Sequence, residues 1–183
     1  MNEIIAMHGW AGDSYQWTNW KGFFQSCDWE WKNAERGYKE ISPYKPKWSY
    51  NSNQADPKRV AICHSLGSHL IDREVLYSAT HVILINSFSR FIPKGKDSRY
   101  VTMALNRMMD TIDTPREEVM LRKFHINAYK PNNINKRSTK SNSHQISDSG
   151  RLKLKNDLEL LINSDSLPTG LNTNSTVLII NSE

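Results

Sequence analysis

The chain has 183 residues, 38% of them hydrophobic, with 24 Lys+Arg against 19 Asp+Glu and a net charge of +5. That length suits one domain able to bury a real core. No apolar run approaches the ~20 residues that span a bilayer, which excludes a membrane helix and leaves no membrane partner expected.

Met1 to Met7 carry no basic leader and run straight into an apolar stretch, so no signal peptide is read here and the cytoplasm is the expected compartment. Ile4-Ile5-Ala6-Met7 is a buried-strand pattern that opens into a loop at His8-Gly9. Asp13 or Ser14 can cap the helix that follows, in which Trp17, Trp20, Phe23 and Phe24 recur at helical spacing. That aromatic face packs on a core, or Trp17 and Trp20 line a ligand pocket. Prolines, Asn and Ser between Ser42 and Pro57 mark an irregular connection.

Lys58 to Cys63 is a second strand, Leu66 to Ala79 has the spacing of a helix packed on a sheet, and His81 to Asn86 is a third strand. Strand, helix and strand make a βαβ unit, hence an α/β fold with parallel strands and helices on both faces. Tyr100 to Met109 and Pro115 to Tyr129 read as helices, Lys130 to Gly150 as a polar loop, and Leu152 to Ile162 as an amphipathic helix. Thr176 to Asn181 is a last buried strand.

Cys27 and Cys63 are too few for a disulfide framework and lack zinc spacing, so both are read as free thiols, with no metal and no cofactor expected. Arg90 to Lys155 holds 15 Lys+Arg against 6 Asp+Glu, whereas the rest of the chain holds 9 against 13. Such a block is either a solvated polar insertion or the footprint of an acidic partner. Nucleic acid is not the expected one, because single-strand platforms interleave aromatics with charge and this block offers only Phe91, Tyr100, Phe124 and Tyr129.

The chemistry concentrates at Cys63-His64-Ser65-Leu66-Gly67. A serine hydroxyl is a poor nucleophile at neutral pH and needs a sharp exposed turn, oxyanion donors and an oriented histidine. A strand turning at once into a helix supplies the turn, provided the residues two before and two after are small. Cys63 and Gly67 stand there, Cys63 being a departure from the usual glycine. It sits before the apex and is not the expected nucleophile.

With His8-Gly9-Trp10-Ala11-Gly12 upstream, this segment resembles the oxyanion loop and nucleophile elbow of α/β-hydrolases. Within them the chain is most similar to the esterases that demethylate pimeloyl-[acyl-carrier protein] methyl ester in biotin synthesis, on the His-Gly-Trp, the Ser-Leu-Gly and the segment Asn86 to Phe91. The resemblance implies a mostly parallel sheet with helices on both faces and a helical lid, with 1–89 and 152–183 as core and 90–151 as lid. It implies a serine carboxylesterase in which Ser65 is the catalytic nucleophile and the backbone N–H groups of Trp10 and Leu66 form the oxyanion hole. His8 then shapes the loop, and His64 lines the pocket or packs. An acyl-carrier protein is small and strongly acidic, so Arg90, Arg99, Arg107, Arg122 and Lys123 become candidates for docking it. Met103, Met108, Met109 and Met120, with Leu105 and Val119, either line an acyl channel or hold the lid to the body.

By the same analogy the triad acid falls about two residues beyond Glu183 and the histidine later, so the chain reads as an incomplete hydrolase domain lacking the last strand or strands and helix. Glu183 as acid, and His125 or His144 as base, are poor substitutes. The alternative is therefore a truncated, catalytically impaired or non-catalytic hydrolase-like protein, with an exposed edge beside Thr176 to Asn181 that favours aggregation.

Overall fold

Five short strands, all parallel, form one sheet in the order β2-β1-β3-β4-β5 in a computed structural model that describes residues 1–49, 57–128 and 145–182. The strands are β1 (Glu3–Met7), β2 (Glu30–Ala34), β3 (Arg59–His64), β4 (His81–Ile85) and β5 (Thr176–Ile180). Tyr129, His144, Glu183 and most of the Lys130–Gly150 tract lie outside the described residues.

β1 is buried along its whole length because strands on both sides and side chains on both faces cover it, which is why its sequence shows no polar alternation. Its side chains still divide with period two. Ile5 and Met7 join Ala61, Cys63, Val82 and Leu84 on one face, against Ile71, Val75, Leu76 and Ala79. Ile4 and Ala6 join Val60 and Ile62 on the other, against Trp17 and Trp31, with Phe24, Trp29, Ile83 and Ile85 packed alongside.

The first helical stretch starts as expected. The Asp13 carboxylate accepts the Tyr15 N–H at 2.9 Å and caps a 3-10 turn, Ser14–Trp17, that leads into α1 (Thr18–Ser26). Trp17 is buried and packs on Trp31, whereas Phe23 faces outward, 64% exposed. β2 then appears where no strand is read from the sequence. It is an edge strand, so Glu30 and Lys32 keep partial solvent access and the five residues lack an apolar run.

Two further expectations are overturned. The helix read over Leu66 to Ala79 is two short pieces, α2 (Gly67–Leu70) and α3 (Arg73–Tyr77). Ile71 is extended between them, φ −65° and ψ 151°, and the Asp72 carboxylate starts afresh by capping the Glu74 N–H. β5, read as buried, is exposed throughout: among the described residues it pairs only with β4, and Leu178 and Ile179 are 52% and 60% exposed. Thr176 and Ile180 bond toward β4, so Val177 and Ile179 present their backbone groups to an open, uncharged edge, the kind that recruits other strands.

The chain divides into two compact units, the first comprising Met1–Gly37, Ile41–Phe91 and Ser164–Glu183 and holding the sheet. The second comprises Tyr38–Glu40 and Ile92–Asn163, with α4 (Ser98–Thr111), α5 (Glu117–Ala128) and α6 (Asp148–Asn163). Within it the Tyr38 hydroxyl donates to Asp157 at 2.6 Å, both groups buried, and Arg151 donates through Nε to Glu117 at 2.9 Å. Among the described residues no helix is long and apolar enough to cross a membrane.

Candidate functional site

After β1 the chain turns one way to β2 and then returns to place β3 on the other side of β1, so the loops leaving β1 and β3 diverge at a switch point of the sheet. Such a crevice at the carboxyl ends of parallel strands is where open α/β sheets bind ligands. His8-Gly9-Trp10 leaves β1 and Ser65 leaves β3 at this place.

Ser65 lies between the end of β3 and the start of α2 with φ +53°, a left-handed conformation disfavoured by ~1 kcal/mol or more in a non-glycine residue. Its N–H donates to Ile85 O at 2.8 Å, which fastens the apex to β4. The turn is possible because its neighbours are small. A β-carbon on Gly67 would stand 2.6 Å from Met7 O and 2.7 Å from His8 O, and one on Gly9 would stand 3.1 Å from the Ser65 β-carbon. Cys63 is fully buried, and burial pushes its thiol up to about 12, which removes it as a competing nucleophile. Leu66 is also fully buried, and its backbone N–H has no acceptor among the described residues. Buried donors are nearly always satisfied, so this one marks a place where an acceptor belongs.

The β1 loop is held from beneath by His8 and by Glu35, a residue with no role in the sequence reading. His8 is fully buried, with Nδ1 2.9 Å from Gly9 O and Nε2 3.0 Å from Glu35 Oε1. Glu35 follows β2 directly and also accepts the N–H groups of Ser14 and Gly37, each at 2.9 Å. Burial alone would raise its pKa, but the hydrogen bond and charge of His8 and the two N–H donors outweigh it, lowering the value from 4.5 to about 2. A carboxyl depressed in the folded state contributes stability that is full above pH 4.5 and disappears as the pH falls toward 2. The contribution is on the order of 3 kcal/mol. Acid unfolding followed by circular dichroism is expected to slope through that window in the wild type and to lose that component in Glu35→Gln; identical profiles would refute it.

His8 and Glu35 form a histidine–carboxylate pair, but not a base for Ser65, because both ring nitrogens are engaged by other groups. His69 is tied through Nε2 to Phe88 O at 2.8 Å and stacked on the Phe88 ring. His81 stands at the opposite end of the strands, beside Thr80. His64 is kept below the ordinary histidine value by burial and by His8, and no acid partners it among the described residues. Ser65 Oγ has no hydrogen bond among the described residues, and His125 lies on α5 in the second unit.

The expected docking residues lie after β4 and on α4 and α5. Arg90 is exposed after β4, at 4.0 Å from the Asp165 carboxylate. Arg99 and Arg107 are exposed on α4, Arg122 and Lys123 on α5, with no ion pair among the described residues. Leu105 is buried, whereas Met103 and Val119 are 42% and 43% exposed. Among the described residues no cluster of three ligand side chains could hold a metal ion. Glu35 and β2 were the features missed in the sequence; the signal available was the alternation of Trp29 and Trp31 with polar residues just before Glu35-Arg36-Gly37.

No family model matches the chain, and no curated protein matches it in sequence. Among solved structures it is similar to the bottromycin epimerase BotH in complex with bottromycin A2, with TM-score 0.57 and 15% identity over 97% of this chain and 71% of that one. The chain has an α/β-hydrolase-like fold. At that identity the likeness carries the fold and says nothing of the reaction.

Proposed function

We propose that the protein is a cytoplasmic serine hydrolase of carboxylesterase type, in which Ser65 Oγ attacks an ester carbonyl to form an acyl-serine. In this reading the N–H groups of Trp10 and Leu66 hold the developing oxyanion. The carrying observation is Ser65 at φ +53° between a parallel strand and a helix, at the switch point of the sheet. The Leu66 N–H, buried and without an acceptor, supports the oxyanion role, since a donor of this kind contributes roughly 2.7–4 kcal/mol to such reactions. For substrate we propose an acyl chain carried by an acidic acyl-carrier protein, with the methyl ester of the pimeloyl carrier in biotin synthesis as the specific candidate. Exposed Arg90, Arg99, Arg107, Arg122 and Lys123 would meet the carrier's acidic face, and no cofactor is required.

One observation favours a second reading, a catalytically impaired or non-catalytic member of the fold: no histidine hydrogen-bonds Ser65 Oγ among the described residues. BotH, an epimerase, shows that a fold of this type need not hydrolyse. A fluorophosphonate probe tests the primary reading. Labelling is expected at Ser65, located by peptide mass spectrometry, and is expected to be abolished in Ser65→Ala; labelling that persists in that variant would sink the assignment.

A further inference from the structure

A backbone donor is only as well aimed as the peptide plane that carries it. The Trp10 N–H shares its plane with the Gly9 carbonyl and points opposite to it, because the peptide is planar and trans. Whatever fixes Gly9 O therefore fixes the direction of the Trp10 N–H. Two donors reach Gly9 O: the Gly12 N–H at 3.1 Å, and His8 through Nδ1 at 2.9 Å.

The ring of His8 must itself be held. The contacts of Nδ1 with Gly9 O at 2.9 Å and of Nε2 with Glu35 Oε1 at 3.0 Å fix the ring at both ends. The Arg36 N–H also approaches Nε2, but at the longer distance of 3.2 Å. Glu35 is in turn a fixed point. Its backbone exchanges hydrogen bonds with Tyr44 at 2.8 and 2.9 Å, and its carboxylate accepts Ser14 N–H and Gly37 N–H besides His8.

We infer that Glu35 is a positioning residue that aims the Trp10 N–H at the oxyanion, acting through the His8 ring and the Gly9 carbonyl. The inference rests on the proposed acyl chemistry at Ser65 for its purpose, while its physical content, the ordering of the loop, stands independently. Glu35 touches no reacting atom. It governs how sharply one of two donors is pointed, which affects the rate of attack and leaves probe binding unchanged. Ser14 N–H joins the same carboxylate, so the entry to the first helical turn is locked to the loop as well.

Two variants and two readouts test it. In Glu35→Gln the amide cannot accept from His8, Gly37 and Ser14 together without setting its own NH₂ against an N–H; His8→Ala removes the middle of the chain. Amide hydrogen exchange of the peptide spanning residues 8–13 is expected to rise at least tenfold more than that of β3 and β4 in either variant. The double variant is expected to be no worse than either single one, because the two act as one unit. The limiting rate constant for phosphonylation of Ser65 is expected to fall roughly 10–100-fold with the probe's dissociation constant unchanged. Exchange that stays at the wild-type rate in the loop, or that rises equally in every strand, would overturn the positioning role. If wild-type Ser65 does not react at all, the hydrolase reading fails, and the exchange experiment still decides whether Glu35 orders the loop.

Discussion

Gly67→Ala is expected to destabilise the protein by about 3 kcal/mol, a fall in Tm of roughly 5–10 °C for a chain of this size, and to slow labelling of Ser65 as well. The substitution would ordinarily help a helix, since alanine exceeds glycine in helix propensity by about 1 kcal/mol. Gly67 does not adopt a positive φ, so no conformational argument protects it. What forbids the methyl group is space: it would lie 2.6 Å from Met7 O and 2.7 Å from His8 O, closer than β-carbons come to any atom. Both oxygens are backbone, at the end of the buried strand β1, and cannot rotate away as a side chain would. Relief requires α2 or the end of β1 to move, and that end carries the loop of the proposed oxyanion hole. Stability and reactivity therefore fall together. Gly22→Ala is the control, because Gly22 lies in α1 with no atom within 4 Å of the added carbon, and it is expected to gain up to about 1 kcal/mol. Thermal unfolding of both variants decides the matter; a Gly67→Ala protein as stable as the wild type would show that the elbow and the loop are less tightly apposed.

The parts of this architecture legible in the sequence are those where burial is uniform on both sides of an element. β1 and β3 are covered by neighbouring strands and by both faces of the sheet, so Ile4-Ile5-Ala6 and Val60-Ala61-Ile62 announce themselves as apolar runs, and β4, buried on one face and half-buried on the other, does so through Val82-Ile83-Leu84. Edges behave differently. β2 carries Glu30 and Lys32, with Lys32 donating to Glu3 at 2.6 Å, and such a strand reads as connection because its polar residues find local partners. β5 misleads in the opposite direction: its apolar run has the pattern of a buried strand, yet among the described residues only β4 lies beside it. Leu66 to Ala79 failed for a third reason. Leu70, Val75 and Leu76 fit a helical period whether or not the chain breaks at Ile71, and only the capping carboxylate of Asp72 marks the restart. Ser65 was readable because the elbow is a local device, complete within five residues. The Glu35–His8 pair was not, since 27 residues separate its members and only the parallel pairing of β1 with β2 brings them together.

Added imidazole is expected to reveal how complete the site is. Ser65 stands at the turn and one buried donor awaits an acceptor, yet among the described residues no histidine hydrogen-bonds Ser65 Oγ. A serine without its base retains the contribution of donors and binding, some 10³–10⁴-fold over water in well-studied cases, and loses most of the remainder. Turnover of p-nitrophenyl acetate by the wild type is therefore expected to lie within about tenfold of Ser65→Ala when no base is supplied. A small neutral imidazole diffusing to the crevice can take the Ser65 proton during attack and activate water against the acyl-serine afterwards. At pH about 8, where the added base is mostly neutral, its presence is expected to raise wild-type turnover at least ten times more than that of Ser65→Ala, whose response measures the reaction of imidazole with the ester alone. Equal responses in the two proteins would show that Ser65 performs no acyl chemistry and would favour the non-catalytic reading. Robust wild-type turnover that ignores imidazole would show instead that the chain already brings a base to Ser65, and would return the protein to the ordinary run of serine esterases.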